Sequence, residues 1–162
     1  ENGYHKNNNF NIKDYFKINH SHLLSNYNVK IPIWKGQKSL RVPFNKWKGG
    51  YNRLPWYQAY NSSKHDRQNE FESATFEHML DAICGVFVLL SAQFHIFDFS
   101  PESECLEIET NQYWSDEMES GIGDFFRVKF PDNFPDYLQY DFNWQNIKNC
   151  DNPFNEFDYN NI

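Results

Sequence analysis

The sequence predicts an α+β fold in which a helical core carries an added β-hairpin and a small antiparallel sheet. From Phe76 to Phe94, apolar residues recur at alternating steps of four and three, the period of a helix with one packed face. Residues 29–44, and three stretches beyond residue 103, instead alternate apolar with polar, the period of strands. With 162 residues, 40% of them hydrophobic and 19% aromatic, the chain can bury one core, so a single domain is expected.

Residues 1–11, ENGYHKNNNFN, are polar and without apolar period, and are expected to be loosely ordered. The single domain then runs over 12–162. Apolar positions at Ile12, Tyr15, Phe16, Ile18 and Leu23 predict a short helix from Ile12 to Leu24, with His20 and His22 as solvent-facing or capping residues at its end. Residues 29–44 predict a hairpin turning at Gly36-Gln37, with Ile31, Ile33 and Val42 pointing inward. Pro32 and Pro43 place it at a sheet edge, because neither can donate to a ladder.

The connector NKWKGGYNRLP follows. Gly49-Gly50 break the chain and Pro55 suits the first turn of a helix over 55–65. Lys46, Trp47, Lys48 and Arg53 form a basic-aromatic patch of the kind that binds single-stranded nucleic acid, although a Trp pinning the loop to the core is the commoner use. A second helix is expected to begin near Asn69, capped by Asn69 with Glu72 three residues on. Its stripe of Phe76, Leu80, Ile83, Phe87, Leu90 and Phe94, widened by Met79, Ala82 and Val86, is expected to pack on another helix. Gly85 inside it costs about 1 kcal/mol against Ala and marks a close helix crossing. The helical core therefore spans about 53–98.

The part spanning about 103–162 is acidic and strand-rich. CLEIET, FFRVKF and YLQYDF each alternate and predict strands that the 29–44 hairpin completes into one sheet. The C-terminal stretch is expected to dock through Phe154 and Phe157.

The net charge of −7 conceals a segregation. Residues 1–67 hold 12 Lys+Arg and 3 Asp+Glu, or +9, and residues 68–162 hold 3 and 19, or −16. Such a division serves either an anionic partner of the basic half or the docking of the two halves on each other, and docking is favoured. The three cysteines are widely spaced and odd in number, the longest apolar run is AICGVFVLL, and no secretory leader is recognised. A reducing, cytoplasmic setting with no membrane is expected, and Cys84 is expected to be a buried, inert thiol. No phosphate-binding loop, dinucleotide fingerprint or metal-ligand spacing occurs, so no cofactor and no metal is implied. His78 and His95 are expected to be surface or boundary residues.

One polar cluster has the ingredients of a site. In YNSSKHDR, residues 60–67, Asn61 and His65 stand at i and i+4 on one helix face, with Lys64 and Arg67 able to reach the same edge. Histidine suits proton transfer near neutral pH, an amide can orient it or a phosphate, and a cation can stabilise developing charge, which together serve RNA cleavage. The alternative is structural: Asn61 and His65 bridging to a neighbouring loop, with Lys64, Asp66 and Arg67 as a solvated helix end.

Asn61-Ser62-Ser63-Lys64-His65, followed by a long apolar helix, resembles the signature of the HEPN superfamily of helical domains found in toxin-antitoxin, phage-defence and RNA-processing systems. In catalytic members an Arg precedes the Asn, and here Tyr60 takes that place. The resemblance covers about residues 53–98. It implies a HEPN-like helical hairpin or bundle, a homodimer, and a module of bacterial type in a defence or toxin-antitoxin-like system. Asn61, His65 and Arg67 are then the catalytic candidates, with Lys64 and Tyr60 as binding candidates beside them, while Lys46, Trp47, Lys48 and Arg53 are binding candidates on their basic-aromatic composition alone. With the Arg absent, a non-catalytic or weakly catalytic module binding RNA or a protein partner is expected. The alternatives are an active metal-independent endoribonuclease using Asn61 and His65, and a purely structural protein-interaction domain. Metal-dependent hydrolysis through His20 and His22 ranks last.

Overall fold

The computed structural model describes residues 11–94, 117–122, 125–132, 134–135, 145, 148–149 and 157–162. Its first element is helix α1, Ile12–His22, set by a reciprocal cap. The Asn11 side chain accepts from the Lys13 N–H, and the Asp14 carboxylate accepts from the Asn11 N–H, each at 2.8 Å. The helix ends two residues before the expected Leu24, because Leu23 turns left-handed (φ 50°) while its N–H still donates to the Asn19 carbonyl. The chain then drops into a one-turn 3-10 helix, Leu24–Asn26, which buries Leu24 completely.

This tight exit also turns His22 inward, against the expectation that it faces solvent. The Ser21 hydroxyl lies 2.7 Å from His22 Nδ1 and 2.7 Å from the Tyr159 hydroxyl, all three residues being buried. Lys17 Nζ donates to the Tyr159 carbonyl at 2.9 Å. The C-terminal stretch therefore docks through Tyr159, with Phe157 half-buried against its ring. Phe154 lies outside the described residues.

Strands β1 (Asn28–Lys30), β2 (Leu40–Arg41), β3 (Glu119–Gly121) and β4 (Phe126–Lys129) form one antiparallel sheet in the order β2-β1-β4-β3. The hairpin and FFRVKF thus join as expected, with β2 at an edge. CLEIET and YLQYDF lie outside the described residues. The hairpin strands are short because Pro32 and Pro43 stop the ladder just beyond them. Past Pro32 the alternation ceases, so Ile31 is buried but Ile33 is 72% exposed, and Val42 is half-buried.

Helix α2 spans Pro55–His65, as the sequence predicts, with proline in its first turn. Helix α3 spans Phe76–Phe94 and starts later than expected. Asn69 is already held by Asp66, whose carboxylate accepts from the Asn69 N–H and amide at 3.2 and 3.0 Å. Thr75 supplies the cap instead, its Oγ1 accepting from the His78 N–H at 3.2 Å. Gly85 does mark a close approach: a Cβ there would sit 3.4 Å from the Trp56 ring on α2 and 3.6 Å from Phe44.

The core joins Leu24, Tyr27, Val29, Phe44, Trp47 and Leu54 to Cys84, Phe87 and Val88 of α3 and to Val128 of β4. Register places Arg41, Val29, Val128 and Glu119 in one cross-strand row, which therefore shares a sheet face. Arg41, in that row, reaches α3: its Nε donates to Asp81 Oδ1 at 2.7 Å and its Nη1 to Glu77 Oε1 at 3.1 Å. Lys38 adds a looser, exposed pair to Glu77 at 3.4 Å. The basic first half and the acidic second half thus meet across this contact, as the docking expectation requires.

Candidate functional site

α2 forms because Pro55 opens it and Ala59 packs inward, and it stops where the Asp66 N–H closes on the Ser62 carbonyl at 2.9 Å. Its C-terminal turn carries two parallel i, i+4 pairs. Tyr60 is exposed, with Lys64 Nζ 5.7 Å from its ring centroid. Asn61 is half-buried beside the exposed His65, the last helical residue, and Arg67 is exposed in the turn that follows. Among the described residues, no hydrogen bond or ion pair joins Asn61, His65 and Arg67. A histidine that works as general base is normally oriented by a second group, and none of the described residues holds His65.

The basic residues of the preceding loop sit at the other end of the helix. Arg53 lies two residues before Pro55, so the whole length of the eleven-residue helix, about 16 Å, separates it from His65. Lys46, within the one-turn helix Asn45–Trp47, and Lys48, just after it, are exposed. Trp47 is 1% exposed, its Nε1 donates to the Asn52 carbonyl at 3.1 Å, and its ring meets Phe16 and Phe44. It pins the loop to the core and offers no face to a base. The binding and catalytic candidates therefore fall into two groups at opposite ends of α2.

The described histidines stand apart from one another. His20 is exposed with its ring edge against Phe16, His22 is buried, and residues two apart on a helix do not face each other. His78 is half-buried, with Nδ1 2.9 Å from the Ser73 carbonyl, and His95 lies outside the described residues. Among the described residues, no cluster of His, Cys, Asp and Glu could hold a metal ion.

α3 exposes six large apolar side chains. Its buried side is Leu80, Cys84, Gly85, Phe87, Val88, Ser91 and Ala92. Burial pushes the Cys84 thiol up to about 12, which leaves it protonated and unreactive. The expected stripe is split: Leu80 and Phe87 are inside, but Phe76, Met79, Ile83, Val86, Leu90 and Phe94 are 61%, 48%, 40%, 57%, 38% and 63% exposed. Periodicity alone could not separate the two sides, since α3 is apolar nearly all round. The useful signal was size, because the small residues Cys84, Gly85, Ser91 and Ala92 line the side that lies close to its neighbours.

α3 is also long and apolar enough, by length and composition alone, to cross a membrane. One side of it is nevertheless built into the core and carries the Arg41–Asp81 ion pair, a contact that hydrocarbon would strongly disfavour. It is a core helix with a second apolar face. Comparisons of the chain with family models, curated proteins and solved structures found no match.

Proposed function

We propose that the domain is a non-catalytic protein-interaction module whose binding surface is the outer face of α3. The observation that carries this is the run of six large apolar side chains left exposed along one helix, a patch of the size class that is often functional on monomeric domains. Within the HEPN resemblance, this corresponds to a binding module, in keeping with Tyr60 at the place of the motif Arg. The dispersed polar candidates around α2 favour binding over catalysis. The test is the Ile83→Glu/Val86→Glu double variant. On an interaction surface both glutamates stay solvated, and the variant keeps the native near- and far-UV circular dichroism. If these positions face the interior, two buried carboxylates unfold the chain and the interaction surface is refuted.

A second function is favoured by the Tyr60–Lys64 pair, an exposed ring with an ammonium above it, which suits stacking against a base of single-stranded RNA. His65, Arg67 and Asn61 would then border the bound strand. Cleavage and binding of mixed single-stranded and structured RNA, in chelator and across a salt series, test it against His65→Ala and Tyr60→Ala. Salt-sensitive binding lost in Tyr60→Ala supports RNA recognition. Cleavage that persists in chelator and is lost in His65→Ala would make the domain a metal-independent endoribonuclease and overturn the non-catalytic proposal.

A further inference from the structure

From Tyr15 to His65 the chain contains no Asp or Glu, yet it carries nine Lys and Arg. Arg41 and Lys38 are answered by Glu77 and Asp81 of α3, and Lys17 donates to the Tyr159 carbonyl. Among the described residues, no carboxylate pairs with Lys13, Lys46, Lys48 or Arg53, and all four are exposed. Asp14, beside Lys13, is engaged in the helix cap, accepting from the Asn11 N–H. The contact between β2 and α3 therefore leaves part of the basic half unanswered.

Ring packing gathers these cations on one face. Phe16 of α1 lies 5.6 Å from Trp47 and 5.5 Å from Tyr51 between ring centroids, and Lys13 Nζ lies 5.8 Å from the Tyr51 ring. One side of α1 is thereby joined to the loop 45–53, in which Lys46 and Lys48 flank the buried Trp47. His20 stands on the same side, its ring 5.4 Å from Phe16. The loop projects, since a Cβ at Gly49 or Gly50 would meet nothing within 4 Å.

We propose that this face docks peripherally on an anionic lipid surface, with Lys13, Lys46, Lys48 and Arg53 at the level of the phosphates and Tyr51 at the headgroup boundary. Clustered Lys and Arg are what an anionic leaflet attracts, and a tyrosine matches that boundary with an apolar ring and a polar tip. Charges more than about 8 Å away are largely screened at physiological salt, so this local cluster, rather than the net charge of −7, governs the encounter. A single-stranded nucleic acid would need open aromatic faces for its bases. Trp47 is 1% exposed, and the Tyr51 ring already holds the Lys13 ammonium and Phe16. The expectation of no membrane concerned spanning segments, and a peripheral contact needs none. The surface is separate from the outer face of α3 and does not depend on it.

Co-sedimentation of the full chain with phosphatidylcholine vesicles, with and without phosphatidylserine, tests the proposal across a salt series. The wild type is expected to bind only the phosphatidylserine vesicles and to be released by salt. Lys46→Gln/Lys48→Gln is expected to weaken partition about thirtyfold with unchanged circular dichroism, and Lys13→Gln, on the other element of the face, about fivefold. No binding to phosphatidylserine vesicles, equal binding to both kinds, or partition unchanged in both variants overturns it. Fluorescence anisotropy with single-stranded and duplex RNA supplies the contrary outcome: RNA binding that these variants lose, without vesicle binding, assigns the face to nucleic acid and overturns the lipid surface.

Discussion

Arg41 is 9% exposed, on a two-residue edge strand, and its charge is answered from α3 by Asp81 and Glu77. A guanidinium in that position is tolerable only while its partners remain, since removing one partner of a buried pair strands the other charge. Asp81→Ala is therefore expected to destabilise the fold by about 3 kcal/mol, measured by urea denaturation, and Arg41→Met by less, because it removes the stranded charge with the pair. Equal effects would show that the charge is solvated. Glu77 carries a pH dependence of known sign. Side-chain hydrogen bonds from Arg41 and then Lys38 hold its carboxyl below the usual carboxylate range. A group depressed in the folded state contributes stability above its unfolded value and loses it as pH falls through the folded one. Stability should thus decline below about pH 5, and Glu77→Gln should flatten that decline in denaturation curves at stepped pH. Tyr159→Phe removes the hydroxyl that Ser21 meets and is expected to cost about 1 kcal/mol by the same measurement.

At the scale of elements, the fates of α2 and α3 show what a sequence can and cannot disclose. α2 was legible to the residue because its boundaries are local: proline opens it, and a turn begun by Asp66 closes it. The start of α3 was not, because Asn69 had two uses of similar plausibility, as a cap or within the Asp66 turn, and the turn uses it first. Nor could the alternation of the hairpin foretell that Pro32 would release Ile33 to solvent. Gly85 gives an element-scale prediction. A methyl there would rest in ordinary contact with Trp56 at 3.4 Å, while the helix would gain up to about 1 kcal/mol of backbone preference. Gly85→Ala is expected to raise the thermal midpoint, and Gly85→Leu to lower it sharply by overpacking Trp56 and Phe44. A lower midpoint for Gly85→Ala would show that the crossing has no room even for a methyl.

At the scale of the molecule, the division of charge along the chain is met, among the described residues, by one contact between β2 and α3, where Arg41 pairs with Glu77 and Asp81. The inward turn of His22 was invisible for a related reason: its environment is made by Tyr159, whose hydroxyl reaches Ser21 from 138 positions away. The polar cluster of α2 could be placed on a helix end from sequence, but not its distance from Lys46, Lys48 and Arg53. What α3 can bind turns on its orientation, with Cys84 inside and Val86 outside. Thiol labelling in dilute native solution, with Cys105 and Cys150 replaced by serine, tests it most directly, comparing the native Cys84 with Val86→Cys in a Cys84→Ser background. Cys84 should stay unmodified until the chain is unfolded, while Val86→Cys should react at close to the rate of a free thiol. Rapid labelling of Cys84 with protection of Val86→Cys at every dilution would contradict the account, because the apolar stripe would then face the core.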